Sequence, residues 1–163
     1  METTATSNFE ENKLPQGLNV LTILTFIGCA IGYIFGVIGY INADKSVNDI
    51  QAGMNNPNTP SFAKNFMTPE ALENARIMAS NKLPLLILGL VATSLCLYGA
   101  IEMRKRKMNG YYLWLTGEIL PFISALIFIN AASLYKGMAV IGLVITALFI
   151  VLYTMQRKYL TNN

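Results

Sequence analysis

Residues 18–41 read LNVLTILTFIGCAIGYIFGVIGYI, a stretch without a single charged side chain. At a rise of 1.5 Å per residue it is long enough to cross about 30 Å of hydrocarbon, which takes roughly 20 apolar residues. It nevertheless carries Gly28, Gly32, Gly36 and Gly39, although glycine costs about 1 kcal/mol relative to alanine in a helix interior. At about 100° per residue these glycines and Thr25 fall within an arc of roughly 80°. Lipid supplies no hydrophobic force to draw helices together, so close backbone approach has to provide the attraction, and a face of small residues permits it. The spacing therefore predicts a membrane-spanning helix with a packing seam.

Three more stretches, residues 83–103, 111–135 and 138–155, are similarly long and apolar, and none of the four contains Lys or Arg. The chain of 163 residues is 53% apolar and 13% charged, where soluble domains are about one-quarter charged. A chain this short has too little interior to hold so much apolar surface, so the bilayer is the missing solvent. The expectation is one transmembrane domain over residues 1–163, an all-α four-helix bundle integral to the membrane. Residues 18–41 exceed the apolar core of a signal peptide, and Glu2, Glu10 and Glu11 precede them against Lys13 alone. The segment is read as a retained helix.

Between the first two spans, residues 42–82 read as a long outer loop. Its middle, NNPNTPSF, is dense in Asn and Pro and reads as irregular. The following TPEALENARIMASNK carries a helix start, with Thr68 as cap, Pro69 at the first helical position and Glu70 in the first turn. A weak apolar side at Leu72, Ala75, Met78 and Ala79 makes it a short interfacial helix, and Pro84 is expected to bend the junction with the second span. The other connections are tight. Lys136 and Gly137 alone join the last two spans, which forces an antiparallel hairpin.

The net charge of +3 matters less than where it sits. Arg104, Lys105, Arg106 and Lys107 fill the turn between the second and third spans, and Arg157 and Lys158 follow the fourth. The positive-inside tendency puts this side, with both termini, in the cytoplasm. Arg104 to Lys107 read as anchors on anionic lipid. Trp114, beside Tyr111 and Tyr112, reads with Tyr153 and Tyr159 as a belt at headgroup level. No basic soluble domain accompanies the run, which argues against nucleic acid as a partner.

The second span repeats the small-residue device: Gly89, Ala92, Thr93, Cys96, Gly99 and Ala100 fall within about 120° of one another. Cys96 is then a small packing residue before it is a redox group. These seams predict close helix contact, within the chain, with a second copy or with a membrane complex.

Glu118, in TGEILP within the third span, is the sharpest chemical feature. A carboxylate at membrane depth is costly and points by default to function. Pro121 has no N–H to offer the Gly117 carbonyl, and together they form a candidate ion or proton site. Against this, Glu118 lies about two turns from the basic run and could pair with it at the interface. Ser124 and Asn130 point roughly 120° to either side of it, so its own helix supplies no aligned polar path. The chain has no histidine, no CxxC and no Gly-rich phosphate loop, which removes the usual haem, zinc and general-base sites and leaves no cofactor and no visible enzyme. The reading favoured is a structural or accessory membrane protein held in an oligomer by its glycine seams. The alternative is a small proton- or cation-linked transporter or channel using Glu118.

The segment LPQGLNVLTILTFIGCAIGYIFG, residues 14–36, resembles the start of small bacterial four-span membrane proteins to which no activity is assigned. The resemblance implies a bacterial inner-membrane protein and carries no activity with it. The size is similar to that of the small multidrug transporters, but those place their essential carboxylate in the first span, where this chain has none.

Overall fold

In a computed structural model, described over residues 14–128 and 138–161, the chain is all-α, with no strand among the described residues. Its helices are α1 (Gln16–Asn55), α2 (Ser61–Lys64), α3 (Pro69–Ser80), α4 (Lys82–Arg104), α5 (Met108–Phe128) and α6 (Met138–Gln156), with a closing turn of 3-10 helix at Arg157–Tyr159. Helices α1, α4, α5 and α6 are long and apolar enough to cross a membrane, making this a multi-pass membrane protein. The N-terminal tail, the end of the predicted third span with Asn130, and the Lys136–Gly137 turn lie outside the described residues.

The outer segment departs from the loop expected over residues 42–82. Helix α1 runs for 40 residues, about 60 Å, or twice the hydrocarbon thickness. Polar side chains beyond Ile41 change the solvent the helix meets but not its backbone bonding, and no proline interrupts it before Pro57. Proline disfavours helical geometry in the residue before it, and Asn56 is extended at φ −89°, ψ 117°. Residues 56–60 of NNPNTPSF turn and bend without regular structure, as expected, and its last two residues open the single helical turn α2. Thr68 caps α3 as its sequence indicates, its Oγ1 accepting from the Ala71 N–H at 3.1 Å. The break before α4 falls at Asn81, while Pro84 sits harmlessly in the first turn of α4. The far end of α1 and α3 pack together as a ledge. Lys82 Nζ ties α4 to α1 through Asp44 at 2.6 Å and lies 5.6 Å from the Tyr40 ring centroid.

The closest packing is between α4 and α5. A Cβ on Gly99 would lie 2.5 Å from the Trp114 amide nitrogen, and one on Gly110 would lie 2.5 Å from that of Met103. A Cβ on Gly117 would lie 2.7 Å from the Ala92 carbonyl oxygen. These positions admit no side chain without parting the backbones. Against this pair lie Leu18 and Leu21 of α1, Tyr153 of α6 and Leu160. The last residues then strap the basic turn: the Thr161 N–H donates to the Arg106 carbonyl at 2.7 Å, and the Met108 N–H to the Thr161 carbonyl at 3.0 Å. Arg106 adopts a left-handed φ of 59° to make the turn.

Trp114 and Tyr153 therefore occupy the core instead of a headgroup belt. Their exposures are 0% and 1%, and their ring centroids are 4.3 Å apart. Tyr111 is buried too, whereas Tyr112 and Tyr159 are exposed. Burial is concentrated at the basic-turn end. On α1 no residue beyond Cys29 is buried, and Val140 to Leu148 of α6 carry a largely exposed apolar surface. The bundle is closed at one end, and α1 and α6 open towards the other.

Candidate functional site

Glu118 lies ten residues into α5, about 15 Å along its axis from Met108. It does not reach the basic turn, whose cations have other partners. Arg104 Nη1 donates to Asn19 Oδ1 at 2.9 Å and to Thr22 Oγ1 at 3.1 Å. Lys105 and Lys107 pair with Glu102 at 2.7 and 3.0 Å. Hydrogen bonding to Glu102 holds the Lys105 ammonium above its ordinary range.

Glu118 borders a cavity of about 280 Å³ to which all four spans contribute. Thr25, Gly28 and Cys29 come from α1, Thr93 and Cys96 from α4, Gly117 and Pro121 from α5, and Thr146 from α6. Thr146 Oγ1 donates to Glu118 Oε2 at 3.5 Å, and the Cys96 thiol approaches Oε1 at 3.9 Å. Both contacts are long, so the carboxyl group is lightly held and keeps acceptor capacity for something else. The Cys29 thiol donates to the Thr93 carbonyl at 3.6 Å, and the Thr25 and Tyr153 hydroxyls meet at 2.7 Å. Leu24, Gly28, Pro121 and Ile145 line the cavity and are also exposed on the bundle surface, so it opens sideways between helices.

The polar neighbours of Glu118 thus come from the other three spans. Along α5 itself, Ser124 is spent locally, its Oγ donating to the Pro121 carbonyl at 2.8 Å. A search for polar residues on one helix face finds none of the cross-helix groups.

The glycine seam of α1 makes room within this chain and no tight contact. A Cβ on Gly28, Gly39 or Gly89 would meet nothing within 4 Å. One on Gly32 would first meet Thr93 Oγ1 at 3.5 Å, and one on Gly36 the Leu86 Cδ1 at 4.0 Å. Gly28 borders the Glu118 cavity, while Gly32, Gly36, Gly39 and Gly89 line a second cavity of about 640 Å³ between α1, α3 and α4. Thr93 borders both. Of the remaining seam residues, Cys96 and Ala100 are buried at the closed end. The close backbone-to-backbone approaches belong to Gly99 of that seam and to Gly110 and Gly117, neither of which was expected in a packing seam. Ala92 and Gly99, like Gly110 and Gly117, are seven residues apart and share a helix face, and this spacing was the available signal.

Among the described residues no group of three or more His, Cys, Asp or Glu side chains is placed to hold a metal ion. Comparison with family models, curated proteins and solved structures gave no match.

Proposed function

We propose that this chain is a small transporter of the bacterial inner membrane, linked to protons or a small cation, with Glu118 as the group that takes them up. The observation that carries this reading is the convergence of all four spans on Glu118, in a cavity bordered by hydroxyl and thiol groups and away from the basic turn. A carboxylate retained at bilayer depth and only lightly bonded is the usual sign of an ion or proton site. The closed basic end and the divergence of α1 and α6 above it leave the cavity shut towards the basic turn and open away from it. Arg104 to Lys107 orient that closed end towards the cytoplasm, with both termini, and rest on anionic lipid.

Reconstitution into liposomes loaded with pH-, sodium- or potassium-sensitive dyes tests the proposal, with the matching proton, sodium or potassium gradient applied in turn. Wild-type protein is expected to carry flux under at least one gradient, and Glu118→Gln to reduce it at least tenfold. No flux under any of the three, or equal flux in the variant, overturns the reading.

A second reading, an accessory protein that assembles through its glycine seams, is supported by the open glycine face of α1 and the exposed apolar face of α6. Doubly substituted Gly32→Leu, Gly36→Leu protein should then lose its oligomeric band on native gels. Unchanged assembly would count against it.

A further inference from the structure

We propose that the cavity between α1, α3 and α4 binds one phospholipid, one of its two acyl chains on the glycine floor and a zwitterionic, amine-bearing headgroup at the Lys82–Asp44 pair. At about 640 Å³ the space is within the usual range of about 300–1,000 Å³ for ligand cavities. Its lining runs along α1 from Gly32 to Ile50, about 27 Å at the helical rise, an elongated shape suited to a chain. Gly36, Gly39 and Gly89 leave bare backbone as the floor, and Phe35, Leu85 and Leu86 supply apolar walls.

Lys82 lines the groove, and its pair with Asp44 selects the occupant. Lys82 Nζ and Asp44 Oδ2 stand 2.6 Å apart with side chains 35% and 67% exposed. A lipid phosphate can accept from Lys82 while the primary ammonium of the same headgroup donates to Asp44. An anionic headgroup would set its charge against Asp44, and a choline headgroup has no N–H to donate.

Native mass spectrometry of the full chain in mild detergent, with phosphatidylethanolamine, phosphatidylcholine or phosphatidylglycerol added, tests this. One phosphatidylethanolamine per chain is expected to be retained at least tenfold over the other two. Gly39→Leu combined with Gly89→Leu, at positions with open space above the backbone, is expected to cut the bound fraction at least tenfold with melting unchanged. Lys82→Gln is expected to keep a bound lipid but lose the preference among headgroups. Equal retention of the three lipids by wild type, undiminished binding by the double leucine variant, or a dimer that binds no lipid overturns the proposal.

Discussion

The hydroxyl groups of Thr25 and Tyr153 meet at 2.7 Å in the interior, joining the first span to the last. The Trp114 ring also packs against Tyr153, its plane tilted by 43°, so the contact fixes α6 where the rest of that helix is sparsely packed. Inter-helix hydrogen bonds in lipid are worth about 0.6 to 1.7 kcal/mol. Tyr153→Phe and Thr25→Val should each destabilise the protein by about 1 kcal/mol. In a double-mutant cycle read by unfolding in detergent, their effects should overlap and not add. Full additivity would show that the hydroxyls do not interact.

Gly99 and Gly39 make opposite predictions for one chemical change. Gly99→Ala pushes a methyl group into the backbone of α5 and should cost about 3 kcal/mol or prevent folding, at or beyond the upper end of ordinary overpacking. Gly39→Ala adds a methyl group where nothing lies within 4 Å, and should be neutral or stabilising by up to about 1 kcal/mol through helix propensity. Thermal unfolding in detergent separates the two, and equal effects would contradict the packing described.

The only tryptophan, Trp114, is wholly buried. Its fluorescence should be blue-shifted, and it should resist quenching both by aqueous iodide and by lipids brominated near the headgroup. A residue in a headgroup belt would be quenched readily by those lipids, so strong quenching would place the ring outside the core.

Arg106 holds a φ of 59°, a region that glycine occupies without cost and β-branched residues avoid. Arg106→Gly should leave stability unchanged or raise it by up to about 1 kcal/mol, and Arg106→Val should lower it by a similar amount. Calorimetric melting of the two variants checks the order.

The four spans were legible because span length and charge exclusion follow directly from bilayer thickness, and the Thr68–Pro69 helix start because its cap is local. The extension of α1 past Ile41 was not, since polarity reports solvent while helix continuation depends on the absence of a breaker before Pro57. Trp114 and Tyr153 were misplaced because an amphipathic ring near a span end suits either a belt or a core, and only the helix rotation set by Gly99 and Gly110 decides between them. The role of the α1 glycines was half legible: their alignment shows that the face is smooth, but not whether a neighbour closes on it. Glu118 stood out as an ionisable group at depth, whereas Thr25, Cys29, Thr93, Cys96 and Thr146 became its neighbours only once the helices were arranged.

The most direct measurement is the labelling of Glu118 in native membranes by carbodiimides of different solubility, read by peptide mass spectrometry. A membrane-soluble carbodiimide entering sideways past Gly28 and Ile145 should modify Glu118, and a water-soluble one should leave it intact. Ready modification by the water-soluble reagent, with none by the membrane-soluble one, would place the carboxyl group at the aqueous interface and contradict a site enclosed by the four spans.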